Sequence, residues 1–117
     1  MPKIMIIDDD HNSTKLLKTF LELEGFDVII SLRSRDVLRK AMDFKPDAFL
    51  VDYNLDERSG VDVVRELRTI PDFASAPVIM ASGEDVSQKI AEERINLFLI
   101  KPYEPDALVQ HFAKLIG

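Results

Sequence analysis

No cysteine occurs in the 117 residues, which excludes disulfides and thiolate metal sites and suits a reducing compartment. No apolar run approaches the roughly 18 residues of a membrane-spanning helix, and no charged, then apolar, then small-residue leader opens the chain. Basic residues are the minority, 15 against 21 acids for a net charge of −6. That balance argues against binding nucleic acid or an anionic membrane, both of which need basic patches. Repeats, low-complexity tracts, linkers and shifts of composition are also missing, so the expectation is one domain, residues 1–117, in the cytoplasm. What is present is an apolar share of 46%, enough for a real core.

Short apolar runs recur at Lys3 to Ile7, Asp27 to Ser31, Ala48 to Val51, Pro77 to Ala81 and Leu97 to Ile100, with helical spacing between them. Five strands and five helices are predicted. The first helix runs from about Ser13 to Glu24, with Leu16, Leu17, Phe20 and Leu21 inward and Gly25 at its C-terminal cap. The second spans about Ser34 to Phe44, with Val37, Leu38, Ala41 and Met42 inward, and Lys45-Pro46-Asp47 ends it. The third covers Val61 to Thr69, the fourth Val86 to Glu93. The fifth opens on Pro105, carries Leu108, Phe112 and Leu115, and closes the core at Ile116. Strict alternation implies right-handed crossovers and a parallel sheet covered on both faces, an α/β sandwich.

Two of the strands end in carboxylates. Ile4-Met5-Ile6-Ile7 runs into Asp8-Asp9-Asp10, and Ala48-Phe49-Leu50-Val51 into Asp52. Side by side, such strands would bring three or four carboxylates together at the C-terminal edge of the sheet, where open α/β folds bind ligands. Each pair of charges at roughly 4 Å costs about 4 kcal/mol at an effective dielectric near 20, against a domain stability of ~5 to 15 kcal/mol. A cation is needed among them. Lys101, after the last strand, can neutralise one charge, and a hard divalent ion such as Mg2+ suits the rest. Taken singly, the features have plainer readings: an aspartate run before a helix is usually a cap, a role that fits Asp10, Asn12 and Ser13, and a lone aspartate after a strand is usually a solvated loop residue. The functional reading rests on the coincidence that Asp8-Asp9, Asp52, Ser82 and Lys101 each follow a separate predicted strand.

The pieces Ile6-Ile7-Asp8-Asp9, Val51-Asp52-Tyr53-Asn54, Pro77 to Gly83 and Ile100-Lys101-Pro102-Tyr103, in this order, give a sequence that resembles the response-regulator receiver domains of two-component signalling, over the whole chain. The resemblance implies a chemotaxis-type, flavodoxin-like (βα)5 fold with a five-stranded parallel sheet in the doubly wound order 2-1-3-4-5. It implies that Asp52 is the phosphoacceptor, taking a phosphoryl group from a sensor histidine kinase or a histidine phosphotransfer protein. Asp8, Asp9, Asp52 and the backbone carbonyl of Asn54 would hold Mg2+, with Mn2+ as a substitute, and Lys101 would contact the phosphate or, without it, a carboxylate. Ser82 matches the switch hydroxyl and Phe98 the switch aromatic, although each also reads as a strand-end turn former or as core. Asn54 and Glu84 would flank the path of attacking water and permit self-dephosphorylation, or else be ordinary loop residues. The Lys101-Pro102 bond is cis in the family.

The chain departs from the family in two places. The stretch from Ser82 to Lys101 is about one helical turn short and lacks the usual Gly-Ala, so the fourth helix is expected to be short or irregular and no dimer mode carries over. The loop Leu55-Asp56-Glu57-Arg58-Ser59-Gly60 lacks the common proline, and its extra acids are expected to loosen it or to modulate the metal. His11, placed in the loop near the pocket, and His111, in the fifth helix, do not fit a phosphodonor role. Two other functions stay open: a degenerate receiver used only for docking, and an Mg2+-dependent aspartyl-phosphate hydrolase, against which Asn54 stands where such enzymes carry a second acid.

Overall fold

Strands of four or five residues, apolar almost throughout, alternate with amphipathic helices along the chain. The computed structural model describes residues 1–117. It has β1 (Lys3–Ile7), α1 (His11–Leu23), β2 (Asp27–Ser31), a 3-10 turn at Ser34–Asp36 leading into α2 (Val37–Phe44), β3 (Ala48–Asp52) and α3 (Gly60–Arg68). A second 3-10 turn (Pro71–Phe73), β4 (Val78–Ser82), β5 (Leu97–Ile100) and α4 (Pro105–Ile116) follow. All strand pairs are parallel, and the order is β2-β1-β3-β4-β5. This is the expected doubly wound sheet.

The pleat sorts the core into two layers, because successive strand residues face opposite ways. Met5, Ile7, Phe49, Val51, Val78 and Met80 pack under α2 and α3, where Phe49 meets Phe73 edge-on at 5.4 Å. Ile4, Ile6, Ala48, Leu50, Ile79 and Ala81 pack under α1 and α4 with Leu21, Leu108 and Phe112. Each large side chain buried in these layers contributes about 1.5–3 kcal/mol.

Local signals set the helix boundaries. Asp10 caps α1, accepting from the amides of Asn12 and Ser13, so the helix starts two residues earlier than expected and His11 is its exposed first residue, not a loop residue. At the other end Gly25, at φ +97°, donates to the Glu22 carbonyl while Phe26 donates to that of Leu21, the paired bonds of a glycine-terminated helix. The inward face of α1 is narrower than expected. Thr14, Leu17 and Leu21 define it, and Leu16, about 100° round the helix from Leu17, is 74% exposed. Met42 is exposed for the same reason, one step off the arc of Val37 and Ala41.

The expected fourth helix is not formed, so four helices rather than five surround the sheet. Asp85 accepts from the amide (3.0 Å) and hydroxyl (2.6 Å) of Ser87 and starts a turn in which the Val86 carbonyl receives the amides of both Lys89 and Ile90. The next bonds, Glu93 to Ile90 and Ile95 to Glu93, are too closely spaced to propagate a helix. Val86 and Ile90 are still buried against the α3 layer. Arg65 holds Glu93 through two bonds of 3.0 and 2.7 Å, and Arg68 donates to the carbonyls of Arg94, Phe73 and Ala76. Side chains of α3 therefore hold down a segment that does not hold itself.

Candidate functional site

Register brings the acids together. Ile7 pairs with Val51, so Asp8 and Asp52 are the next residues of adjacent strands, and they share the parity of Ile6 and Leu50 on the α1 side. Carboxylate oxygens of Asp8, Asp9 and Asp52 lie within 4.8 Å of one another. Lys101 Nζ reaches Asp8 Oδ2 at 3.1 Å and Asp52 Oδ2 at 3.4 Å, bridging both. The other oxygens take backbone donors: Asp8 Oδ1 accepts the Asp10 amide at 3.0 Å, and Asp52 Oδ1 the Asn54 amide at 3.3 Å. Lys101 is set in place by its own amide, which donates to the Ser82 carbonyl at 2.7 Å, and is followed by a cis bond to Pro102.

The side chains of Asp8 and Asp52 are only 13% and 12% exposed, which makes their charges costly. Burial and then the Asp8 charge push the Asp52 carboxyl above the usual range, and Lys101 only partly reverses this. Burial works against the Lys101 charge, but Asp8 and Asp52 outweigh it and raise its pKa. Tyr103, beside them, is pushed up by burial to about 12 and is neutral at physiological pH. A cluster of hard oxygen donors, three carboxylates with one cation, fits a hard divalent ion such as Mg2+ or Mn2+.

The remaining residues lie in three places. Ser82, fully buried, ends β4 beside the acids, and its Oγ accepts the Glu84 amide at 3.2 Å, while the Glu84 side chain is exposed. Ser82 shares pleat parity with Met80, and Phe98, paired in register with Met80, packs half-buried against the same layer. Both therefore border the helix-less segment. Asn54 lies at the start of the loop after Asp52, its backbone paired across that loop with Ser59. His111 lies in α4, half-buried.

Sequence reasoning missed Gly60. A Cβ there would collide with the Asp52 carbonyl oxygen, so the first turn of α3 passes directly against the backbone of Asp52. A glycine after Ser59, the α3 cap, was the available signal. The acid Asp56 does not loosen its loop: its Oδ1 accepts the Ser34 amide at 3.2 Å. A groove of about 540 Å³ runs from Asp8 and Lys101 past Tyr103 to Leu16, Leu17 and Phe20 of α1.

The profile of the response regulator receiver domain matches residues 4–113. The transcriptional regulatory protein CpxR of Escherichia coli K12 is 32% identical over 99% of this chain and 50% of its own length, and PrrA of Mycobacterium leprae is 30% identical over 98% and 50%. The chain thus spans about half the length of these curated relatives. Among solved structures, a putative response regulator from Chloroflexus aurantiacus superimposes with a TM-score of 0.89 at 28% identity, covering 99% of this chain and 98% of its own. The fold of chemotaxis protein CheY4 of Vibrio cholerae does so at 0.91 and 22% identity, with 98% of each chain covered. With a carboxylate cluster at the strand ends, the sheet order 2-1-3-4-5 and this match along nearly its full length, the chain belongs to the response regulator receiver domains.

Proposed function

We propose that residues 1–117 act as one phosphoacceptor unit, in which Asp52 takes a phosphoryl group from a histidine of a sensor kinase or phosphotransfer protein in the cytoplasm. The observation that carries this reading is the Lys101 ammonium bridging Asp8 and Asp52 within a cluster of three carboxylates. In the transfer an Asp52 carboxylate oxygen attacks phosphorus, the P–N bond breaks, its electron pair returns to the imidazole, and an acyl phosphate forms. Asp8, Asp9, Asp52 and the Asn54 carbonyl would hold Mg2+, which when bound offsets charge on the phosphoryl oxygens. Lys101 adds a second positive charge on the same edge.

Ser82, whose Oγ accepts the Glu84 amide, then donates its hydroxyl hydrogen to a phosphoryl oxygen, drawing the following loop inward, and Phe98 moves into the space vacated. Asn54 and Glu84 flank the approach of water and give a phosphoryl group that decays unaided. Altering both and following decay checks this; unchanged decay overturns it.

The deciding experiment is incubation with a small-molecule phosphodonor, with and without Mg2+, followed by intact mass of the wild type and Asp52→Asn. A single Mg2+-dependent adduct absent from the variant is expected. No adduct on folded protein would favour the constitutive docking module, a reading supported by the missing helix between β4 and β5.

A further inference from the structure

Asp52 is followed by a loop, residues 53–59, whose two ends are fastened. Gly60 donates to the Tyr53 carbonyl at 2.7 Å, Asn54 and Ser59 face each other in an antiparallel bridge, and Ser59 Oγ accepts the Asp62 amide to cap α3. The tip between these ends has no proline to stiffen it. It is held instead from outside. Asp56 Oδ1 accepts the Ser34 amide at 3.2 Å, and Arg58 Nη2 donates to the Ser34 carbonyl at 3.2 Å. Both main-chain groups of one buried residue, at the entrance to α2, are thus bound by side chains of the loop. The Arg58 guanidinium is fixed in turn by Glu66 of α3 at 2.7 Å.

We propose that Asp56 and Arg58 are positioning residues for the metal site. Clamped on Ser34, they hold the tip of the loop, and with it the 54–55 peptide whose carbonyl would join Asp8, Asp9 and Asp52 around an ion. The inference rests on the proposed function, since it needs Mg2+ to bind there. Asp56 and Arg58 touch neither ion nor phosphoryl group. They act by removing alternative positions of a loop that would otherwise have to be ordered when the ion binds, and that ordering subtracts from affinity.

The test is an Mg2+ titration of the full chain followed by the amide chemical shifts of Asp8, Asp9 and Asn54. Asp56→Ala is expected to weaken Mg2+ binding by roughly threefold to tenfold, the range of one lost hydrogen bond, and Arg58→Ala, which breaks the bonds to both Ser34 and Glu66, by at least as much. Asp56→Asn, which keeps an acceptor oxygen, is expected to recover most of the loss. Arg65→Ala, which breaks an ion pair elsewhere on α3, serves as the control and is expected to leave affinity unchanged. Wild-type affinity in both alanine variants overturns the clamp alone, as does an equal loss in Arg65→Ala, which would mark the effect as general destabilisation. A wild-type protein with no Mg2+-induced shifts overturns both the clamp and the phosphoacceptor reading. Should Arg58→Ala fail to fold, the Asp56→Ala and Asp56→Asn pair decides the matter.

Discussion

The connections leaving β3 and β4 start side by side at the same edge of the sheet, yet they are built in opposite ways. After β3 the chain makes a tight loop with backbone bonds at both ends and an immediate helix start, with Gly60 lying against the Asp52 carbonyl. After β4 residues 83–96 make one turn and no helix, and side chains of α3 hold them from outside. The first connection fixes geometry where carboxylates must converge. The second leaves Ser82 and Phe98 bordering a segment with little internal bonding, the kind of region that opens locally at low free-energy cost.

Glycine substitution gives the largest contrast between the two. In Gly60→Ala the new Cβ would collide with the Asp52 carbonyl and stand 3.1 Å from Met80 Cε, so α3 or the Asp52 strand end must move. A loss of about 3 kcal/mol is expected, with shifted amide resonances at Asp52 to Asn54. A Cβ at Gly83, the first residue after β4, would meet nothing within 4 Å, and Gly83→Ala is expected to change stability by less than about 0.5 kcal/mol. Denaturant melts of the pair measure both. Equal losses would show that the two connections are equally tight.

Arg68 comes next. Its guanidinium satisfies the carbonyls of Phe73, Ala76 and Arg94 and reaches Asn96 Oδ1, which itself accepts the Val78 amide. Arg68→Ala is expected to cost about 1–2 kcal/mol, and Arg68→Lys, unable to span the same carbonyls, to recover less than half. Thermal unfolding checks both variants.

Most of the sheet and its acidic edge are legible in the sequence because period and strand-end chemistry are local. Apolar runs ending in Asp8 and Asp52 need only strand adjacency to become a pocket. Leu16 and Met42 fall outside the core because a moderately wide apolar stripe does not reveal which edge of it meets the sheet. Length alone points to a short or irregular fourth helix, but the residues that hold its replacement, Arg65 and Arg68, act across 26 or more residues of sequence separation, where no local pattern reports. The same blindness hides the role of Asp56, whose partner Ser34 lies 22 residues away.

The acidic edge also makes a pH prediction. The Asp52 pKa is raised in the fold, so between the ordinary carboxyl value near 3.9 and its raised value the native state binds more protons than the unfolded chain. This contribution to stability is fully present below the ordinary value and is lost as pH rises through the raised one. Asp52→Asn removes the titrating charge, and at neutral pH without Mg2+ the variant is expected to be more stable than wild type. Mg2+ should narrow the gap by stabilising the wild type. Melts across that pH window check the sign, and a less stable variant would mean that the ion pair with Lys101 outweighs the repulsion from Asp8.

The smallest effect on stability is expected at the second connection, from Arg65→Ala. Its partner Glu93 is largely covered but Arg65 itself is 64% exposed, and exposed pairs contribute little because solvent screens them and ordering two side chains costs entropy. The melting temperature should move by about two degrees or less. Local opening of residues 83–96 is a different quantity. The amides of Lys89, Ile90 and Glu93 donate to carbonyls inside that segment, and Glu93 is one of the points, with the Arg94 carbonyl held by Arg68, at which side chains of α3 pin it. Their hydrogen exchange should quicken in Arg65→Ala while the amides of β1 and β3 exchange as before. Faster exchange confined to 83–96 would show that α3 sets the mobility of the chain beside Ser82. Uniform or unchanged exchange would assign that control to the Arg68 bonds to the Arg94 carbonyl and to the buried contacts of Val86 and Ile90 instead.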